Sequence, residues 1–362
     1  MLKTLVISLI LLTTSLFADE FFEETTKIGG YGELHINHKN PEKGDASNVA
    51  DFHRFVTFIS HNWTEKWSFN SELELEHNFV QDGEGELELE QAYVSYKMSD
   101  SFEFQAGVLL PRVGLINEGH EPPLFLSSER ASYNKSIIPT TWFGNGFAIL
   151  GNINNMLDYK VTLMEGLDTT KVSAKDGIRK ARQKGYKSSL NTVLLNFAID
   201  YTGFEGLRAG ASFSRNQKIG NLDEVFDGIN VMEAHVKYTK HDVYFVTEFG
   251  MITYSTGDAH DKATHDLEAS MGYYAEVGYN VGKFLFKEAK LFPWVSFSQY
   301  NTASSTDAGG DSEEENKKTE IAVGLTFLPI SSISFKLDFT MQTKGKDDFK
   351  TNMINAAVGF MF

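Results

Sequence analysis

Six glutamates recur at period two in two neighbouring stretches, Glu72, Glu74 and Glu76, then Glu86, Glu88 and Glu90. On extended backbone each trio leaves the same face, so a hairpin would gather a carboxylate cluster on one wall. Six like charges so placed demand counter-charge. The candidates are Arg54, on the segment before, and Arg112, Arg130 and Lys135, in a later segment that also carries Glu118, His120 and Glu121. Such a cluster can pin a cationic loop or set the field along an ion path. The sequence offers no nucleophile or acid pair in a catalytic pattern, and no cofactor is expected. Nor does a metal site emerge: His35 and His38 are three apart and point to opposite faces of a strand. Asp258, His260, Asp261, His265 and Asp266, like Asp311 and Glu313 to Glu315, read as solvated acidity.

Lys160, Arg208, Lys237 and Lys336 fall on the polar faces of other segments, so base on one wall could oppose acid on another. Lys171, Lys175, Arg179, Lys180, Arg182, Lys184 and Lys187 crowd one connection, which reads as an outer surface facing solvent or lipopolysaccharide, or as a collector of anions.

The elements that position these groups are strands. Ile333, Phe335, Leu337, Phe339 and Met341 oppose Ser334, Lys336, Asp338, Thr340 and Gln342, a pattern suited to lipid on one side and water on the other. Sixteen segments follow from such alternation: 26–38, 51–61, 66–79, 85–97, 101–109, 142–152, 156–165, 191–202, 206–216, 229–239, 242–255, 268–280, 290–300, 317–328, 331–343 and 350–362. The fold class is all-β, a transmembrane antiparallel barrel. After Glu90 the alternation loses phase at Gln91, which predicts a bulge or an outward polar patch. Connections alternate between short and long, apart from a short turn after the third strand at Asp82-Gly83 and a long one at 281–289.

Residues 1–18 carry Lys3, an apolar run from Leu5 to Leu12 and a small Ala18, and predict a cleavable signal peptide that leaves 19–362 as the barrel. After it there is no apolar run long enough for a spanning helix. With 29 Phe, 14 Tyr, 30 Gly and no Cys, the chain favours strands and turns held without disulfides. Its formal charge of −16 argues against nucleic acid. The last strand ends on Phe362, a terminal aromatic of the kind read by barrel-insertion machinery. The connection 110–141 holds Pro111, Pro122, Pro123 and Pro139 together with Leu115, Ile116, Leu124, Phe125, Leu126, Ile137 and Ile138. Proline excludes it from a sheet ladder and the apolar residues need cover, so it is expected to fold inward as a constriction whose cations meet the carboxylate hairpin.

DFHRFVTFISHNWTEKWSFNSELELEH, GELELEQAYVSYK, PRVGLINEGHEPPLF and SIIPTTWFGNGFAI resemble the porin O and P superfamily, whose founding members select phosphate. The resemblance covers about 28–152 and implies a sixteen-stranded, homotrimeric outer-membrane channel of Gram-negative bacteria with an inward third extracellular loop. Phosphate selection would need a ladder of Arg and Lys in the lumen, and the acid hairpin departs from that. The expected function is a porin passing ions and small hydrophilic solutes. A barrel enzyme and a structural or adhesive barrel are the alternatives.

Overall fold

The computed structural model describes residues 23–81, 84–219, 226–255, 267–306, 314–346 and 349–362. The predicted leader, Asp82-Gly83, the 258–266 cluster, Asp311 and Glu313 lie outside them. Sixteen antiparallel strands close into one barrel: β1 (Thr25–Pro41), β2 (Ser47–Asn62), β3 (Trp67–Glu76), β4 (Leu87–Ser99), β5 (Phe102–Leu109), β6 (Gly144–Ile153), β7 (Leu157–Glu165), β8 (Thr192–Tyr201), β9 (Leu207–Lys218), β10 (Gly228–Tyr238), β11 (Val243–Ser255), β12 (Leu267–Tyr279), β13 (Lys290–Thr306), β14 (Lys317–Ile330), β15 (Ile333–Lys344) and β16 (Phe349–Met361). The seam is β1 against β16, running from Tyr31↔Met361 to Pro41↔Thr351. Closure leaves no edge with unpaired backbone groups, which lipid requires.

The alternation has its expected outcome. Along β15, Phe335, Leu337 and Phe339 are exposed on the outside, while Ser334, Lys336 and Asp338 are buried on the inside. Two expectations change. The third and fourth strands stop short, at Glu76 and Leu87, so the connection between them is 77–86 and belongs with the long ones. His77 and Asn78 adopt left-handed backbone (φ 56 and 64) and turn the chain out of the ladder where polar alternation alone would have continued it. The 280–289 connection is long, as read from the sequence.

Two β-bulges aim side chains inward. Between β3 and β4, Glu72 pairs with Gln91 and Leu73 with Leu89, leaving Glu90 as the extra residue. This is the phase loss seen at Gln91, whose Nε2 donates to Glu72 at 2.6 Å. Between β1 and β2, Glu33 pairs with Arg54 and Leu34 with Phe52, leaving His53 extra.

The lumen is not uniformly wet. The connection between β5 and β6, residues 110–143, enters it, and a short helix α1 (Tyr133–Ser136) sits against β12 and β13. Tyr133, Ile137, Ile138 and Trp142 pack with Ile229, Val231, Val246 and Ile252 of β10 and β11 and with Leu167 and Ile178 of the 166–191 connection. Gly250 and Gly272 face each other in register and make the seat. A Cβ on Gly250 would stand 2.5 Å from the Tyr133 hydroxyl, and one on Gly272 would stand 2.9 Å from Ile137. Leu115, Ile116, Phe125, Leu126, Ile137 and Ile138 are buried as their composition required, but Leu124 is exposed. At about 1.5–3 kcal/mol per large apolar side chain, standing this loop in water would forfeit on the order of 10 kcal/mol.

Candidate functional site

A buried irregular loop carries backbone donors and acceptors with no ladder to join, and four prolines remove only some of the donors. The barrel wall supplies the rest with charge. Wall acids take the loop's N–H groups: Leu115 donates to Glu248 Oε1 (3.3 Å), Leu126 to Glu276 Oε1 (3.3 Å), Ser128 to Asp338 Oδ2 (2.8 Å) and Ser132 to Glu320 Oε2 (3.2 Å). Wall lysines take its carbonyls. Lys160 Nζ donates to Leu110 O at 2.8 Å and Lys237 Nζ to Leu124 O at 3.4 Å. Lys336 Nζ donates to Pro122 O at 2.7 Å and Ser127 O at 2.8 Å, and lies 3.9 Å above the Phe125 ring. Three of the four bases expected to face the acids across open water are therefore committed to the loop backbone. Arg208 instead meets Asp200 at 2.9 Å.

The carboxylate hairpin is neutralised by partners other than most of those expected. Arg54 bridges Glu33 (2.8 Å) and Glu74 (3.0 Å), as one of the sequence candidates. Arg112 turns away to Glu118 (2.6 Å) and Asp200 (3.3 Å), and Lys160 reaches the same Glu118 at 2.7 Å. The loop residue that meets the hairpin is His120, with Nε2 3.2 Å from Glu72 and 3.3 Å from Glu90. Burial alone would favour its neutral form, but the Glu72 and Glu90 carboxylates outweigh burial and hold the imidazole up to about 10. Glu118 is held down to about 2: burial opposes ionisation, and Lys160 and Arg112 overcome it. Glu121 is half-buried beside the loop's short turn at Pro122.

Glu86 and Glu88 are met by Lys184, at 2.8 Å for Glu86, from the 166–191 connection. That connection is not the outer surface its charge suggested. Ile178 and Ala181 are fully buried. Arg179 donates to Thr140 O at 3.2 Å, and Arg182 to Pro139 O at 2.9 Å and to Thr141 O. Neither guanidinium has a carboxylate within 4.0 Å among the described residues, although Arg182 is largely surrounded by protein. Burial lowers the pKa of both, and the charge of Arg179 adds to the effect on Arg182.

Among the described residues a cavity of about 630 Å³ is set to one side of the barrel, lined by both loops and by β1–β4 and β12–β16. Arg130, Lys135, Arg179, Arg182 and Lys184 line its loop side, and Glu74, Glu76, Glu86, Glu88 and Glu90 its hairpin side. Arg130 carries a buried Nη2 with no hydrogen-bond partner and stays within the field of Glu33 and Glu90. Arg179, Arg182 and Lys184 were legible as cations but not as lining groups. Their inward turn has one sequence signal, the apolar Leu167, Val172 and Ile178 interleaved with the charge.

A family model described as phosphate-selective porin O and P matches residues 30–191. An uncharacterized protein of Aquifex aeolicus (strain VF5) is 31% identical over 355 residues, covering 92% of this chain and 79% of its own length. Among solved structures, the chain is similar to Salmonella typhi OmpF in complex with daunomycin (TM-score 0.65, 12% identity, 93% and 97% of the two chains). It is similar also to an anion-selective porin from Comamonas acidovorans (0.59, 9%, 94% and 100%). A third likeness is to the trimer form of in-vitro folded OmpT, an outer membrane protein of Vibrio cholerae (0.60, 11%, 94% and 100%). With its closed sixteen-stranded barrel and loop-narrowed lumen, the chain belongs to the phosphate-selective porin O and P family and is an outer-membrane channel porin.

Proposed function

We propose that the channel passes ions and small hydrophilic solutes by passive diffusion, with small anions, phosphate among them, drawn along the loop side of the cavity. The observation that carries this reading is that Arg179 and Arg182 line the cavity and donate to main-chain carbonyls, with no carboxylate within 4.0 Å of either guanidinium among the described residues. The hairpin acids opposite are largely engaged by Arg54, His120 and Lys184, so they repel anions less than their number implies. The phosphate selectivity for which the family is named and the anion selectivity of the Comamonas porin support the anion half of the reading.

The channel is read as non-enzymatic. Assembly as a homotrimer is supported by the likeness to the trimer form of OmpT. Export through a signal peptide at 1–18, contact with lipopolysaccharide and outer-membrane lipid, and recognition of Phe362 by the barrel-insertion machinery complete the proposal. The test is reversal potential in a planar bilayer under a KCl gradient. Changing Arg179 and Arg182 together to Gln should move it toward cations. A wild-type chain that conducts nothing, or a double variant with unchanged reversal potential, would overturn the reading.

A further inference from the structure

The bulge between β1 and β2 turns His53 onto the lumen face beside Arg54, two residues from Asp51. His77, at the end of β3, is tied there by its N–H to His53 O at 3.1 Å. Asp51 Oδ2 consequently lies 3.1 Å from His53 Nδ1 and 2.8 Å from His77 Nδ1, and the three donor atoms all fall within 4.8 Å of one another. Two imidazoles and a carboxylate, two of them from β2 and one from the end of β3, are the donor set of a borderline transition ion and are poorly suited to Ca²⁺ or Mg²⁺. A tetrahedral site with ligands at about 2.1 Å has edges of about 3.4 Å, so the two Asp51 edges need to open by roughly 0.3 and 0.6 Å, while the His53–His77 edge lies within 4.8 Å and is brought to length by rotation of the half-exposed His77 ring. The ring of His53 is held in place, stacked at 4.8 Å and 11° on His35, which is itself clamped between Glu33 (3.0 Å) and Glu129 (2.9 Å). Such outer partners orient a ligand before the metal arrives.

We propose that Asp51, His53 and His77 form a binding site for a divalent transition ion such as Zn²⁺, with water completing the shell, on the wall of the channel. His53 and His77 both line the cavity, and the Asp51, His53 and His77 side chains are 24%, 26% and 46% exposed, so an ion reaches them from the lumen. Arg54, the next residue on the strand, has its charge engaged by Glu33 and Glu74, and His35, stacked on His53, has its own met by Glu33 and Glu129. Binding replaces the hydrogen bonds between Asp51 and the two rings and places a double positive charge in the aqueous path. Zn²⁺ should therefore lower cation conductance and draw the reversal potential toward anions.

The test uses the tag-free full-length barrel in detergent and in planar bilayers, with Co²⁺ as the spectroscopic probe and Zn²⁺ as competitor. The wild type should give a Co²⁺ visible band that Zn²⁺ abolishes, together with a Zn²⁺-dependent drop in conductance. Loss of one ligand should weaken both at least tenfold, since loss of an outer-shell partner alone costs about 10–100-fold. His53→Ala removes one ligand, and His77→Gln removes another while keeping a donor for Asp51, so a fold that tolerates only the second still gives an answer. His61→Ala, on the same strand beside Thr26, should change nothing. No band and no Zn²⁺ effect up to millimolar metal, or effects that survive both ligand variants, would overturn the proposal.

Discussion

His120 is the one loop cation that ties the constriction to the carboxylate hairpin, and it titrates, so pH should loosen the tie. Its folded pKa of about 10 stands above the ordinary imidazole value of 6.5, because Glu72 and Glu90 favour the charged ring. A raised pKa contributes stability that is fully present below the ordinary value and is lost as pH rises through the folded one. Relative to a loop swung into water, the contribution is about 4 kcal/mol near pH 6.5, about 3 at pH 8 and about 1 at pH 9. These are upper figures, since the freed lumen would admit water and screen the acids. Single-channel recording should show flicker rising between pH 6.5 and 10. His120→Gln, which keeps a donor but cannot carry the charge, should flicker at every pH with a flattened profile. If the variant keeps the wild-type pH profile, His120 is not the tie and the electrostatic account of the loop's attachment fails.

Lys336→Met keeps most of the side-chain volume but leaves Pro122 O and Ser127 O without their donor, at about 1–3 kcal/mol for each orphaned acceptor, so limited proteolysis within 110–143 should accelerate. Gly272→Val would thrust a branched side chain at Ile137 and Tyr300, and the yield of the heat-modifiable folded species on a gel should fall. Deleting Phe362, which stacks on Phe55 at 5.9 Å and is 60% exposed on the outside, should lower surface levels while the conductance of each assembled channel stays unchanged. Glu74→Gln with Glu88→Gln should leave Arg54 and Lys184 with one carboxylate partner each, Glu33 and Glu86, and so shift reversal potential toward anions, as read in a bilayer.

All sixteen strands were legible because lipid and water impose opposite demands on successive residues, and the pattern of β15 satisfies both along its whole length. The overshoot at 77–79 and 85–86 has the same origin. Alternation reports which face a residue would take but not whether a neighbour completes its hydrogen bonds. The Gln91 bulge broke the pattern and was visible. The His53 bulge lies between Phe52 and Arg54, where an extra lumen-facing residue leaves no conspicuous polar run. Side-chain partners were the least accessible part. That Glu88 meets Lys184 rather than Lys135 depends on where two loops cross the lumen, and nothing local to either residue encodes that distance.

The apolar seat of α1 also bears on timing. Ile229, Val231, Val246 and Ile252 face the inside of the barrel, opposite to Met232, Phe249 and Met271 on the outside, so this arc of wall is oily on both surfaces. A ring zipped shut around water would leave that inner arc wetted, with nothing in the lumen to dry it until the loop arrived. Residues 110–143 are anchored at both ends in adjacent strands and so remain close to the nascent sheet throughout. Docking of the loop and joining of β1 to β16 should therefore be one concerted event of biogenesis. On that view the loop is an internal mandrel around which the last strands are laid, and an intermediate that lacks it would stall as an open curl rather than mature into a wider pore.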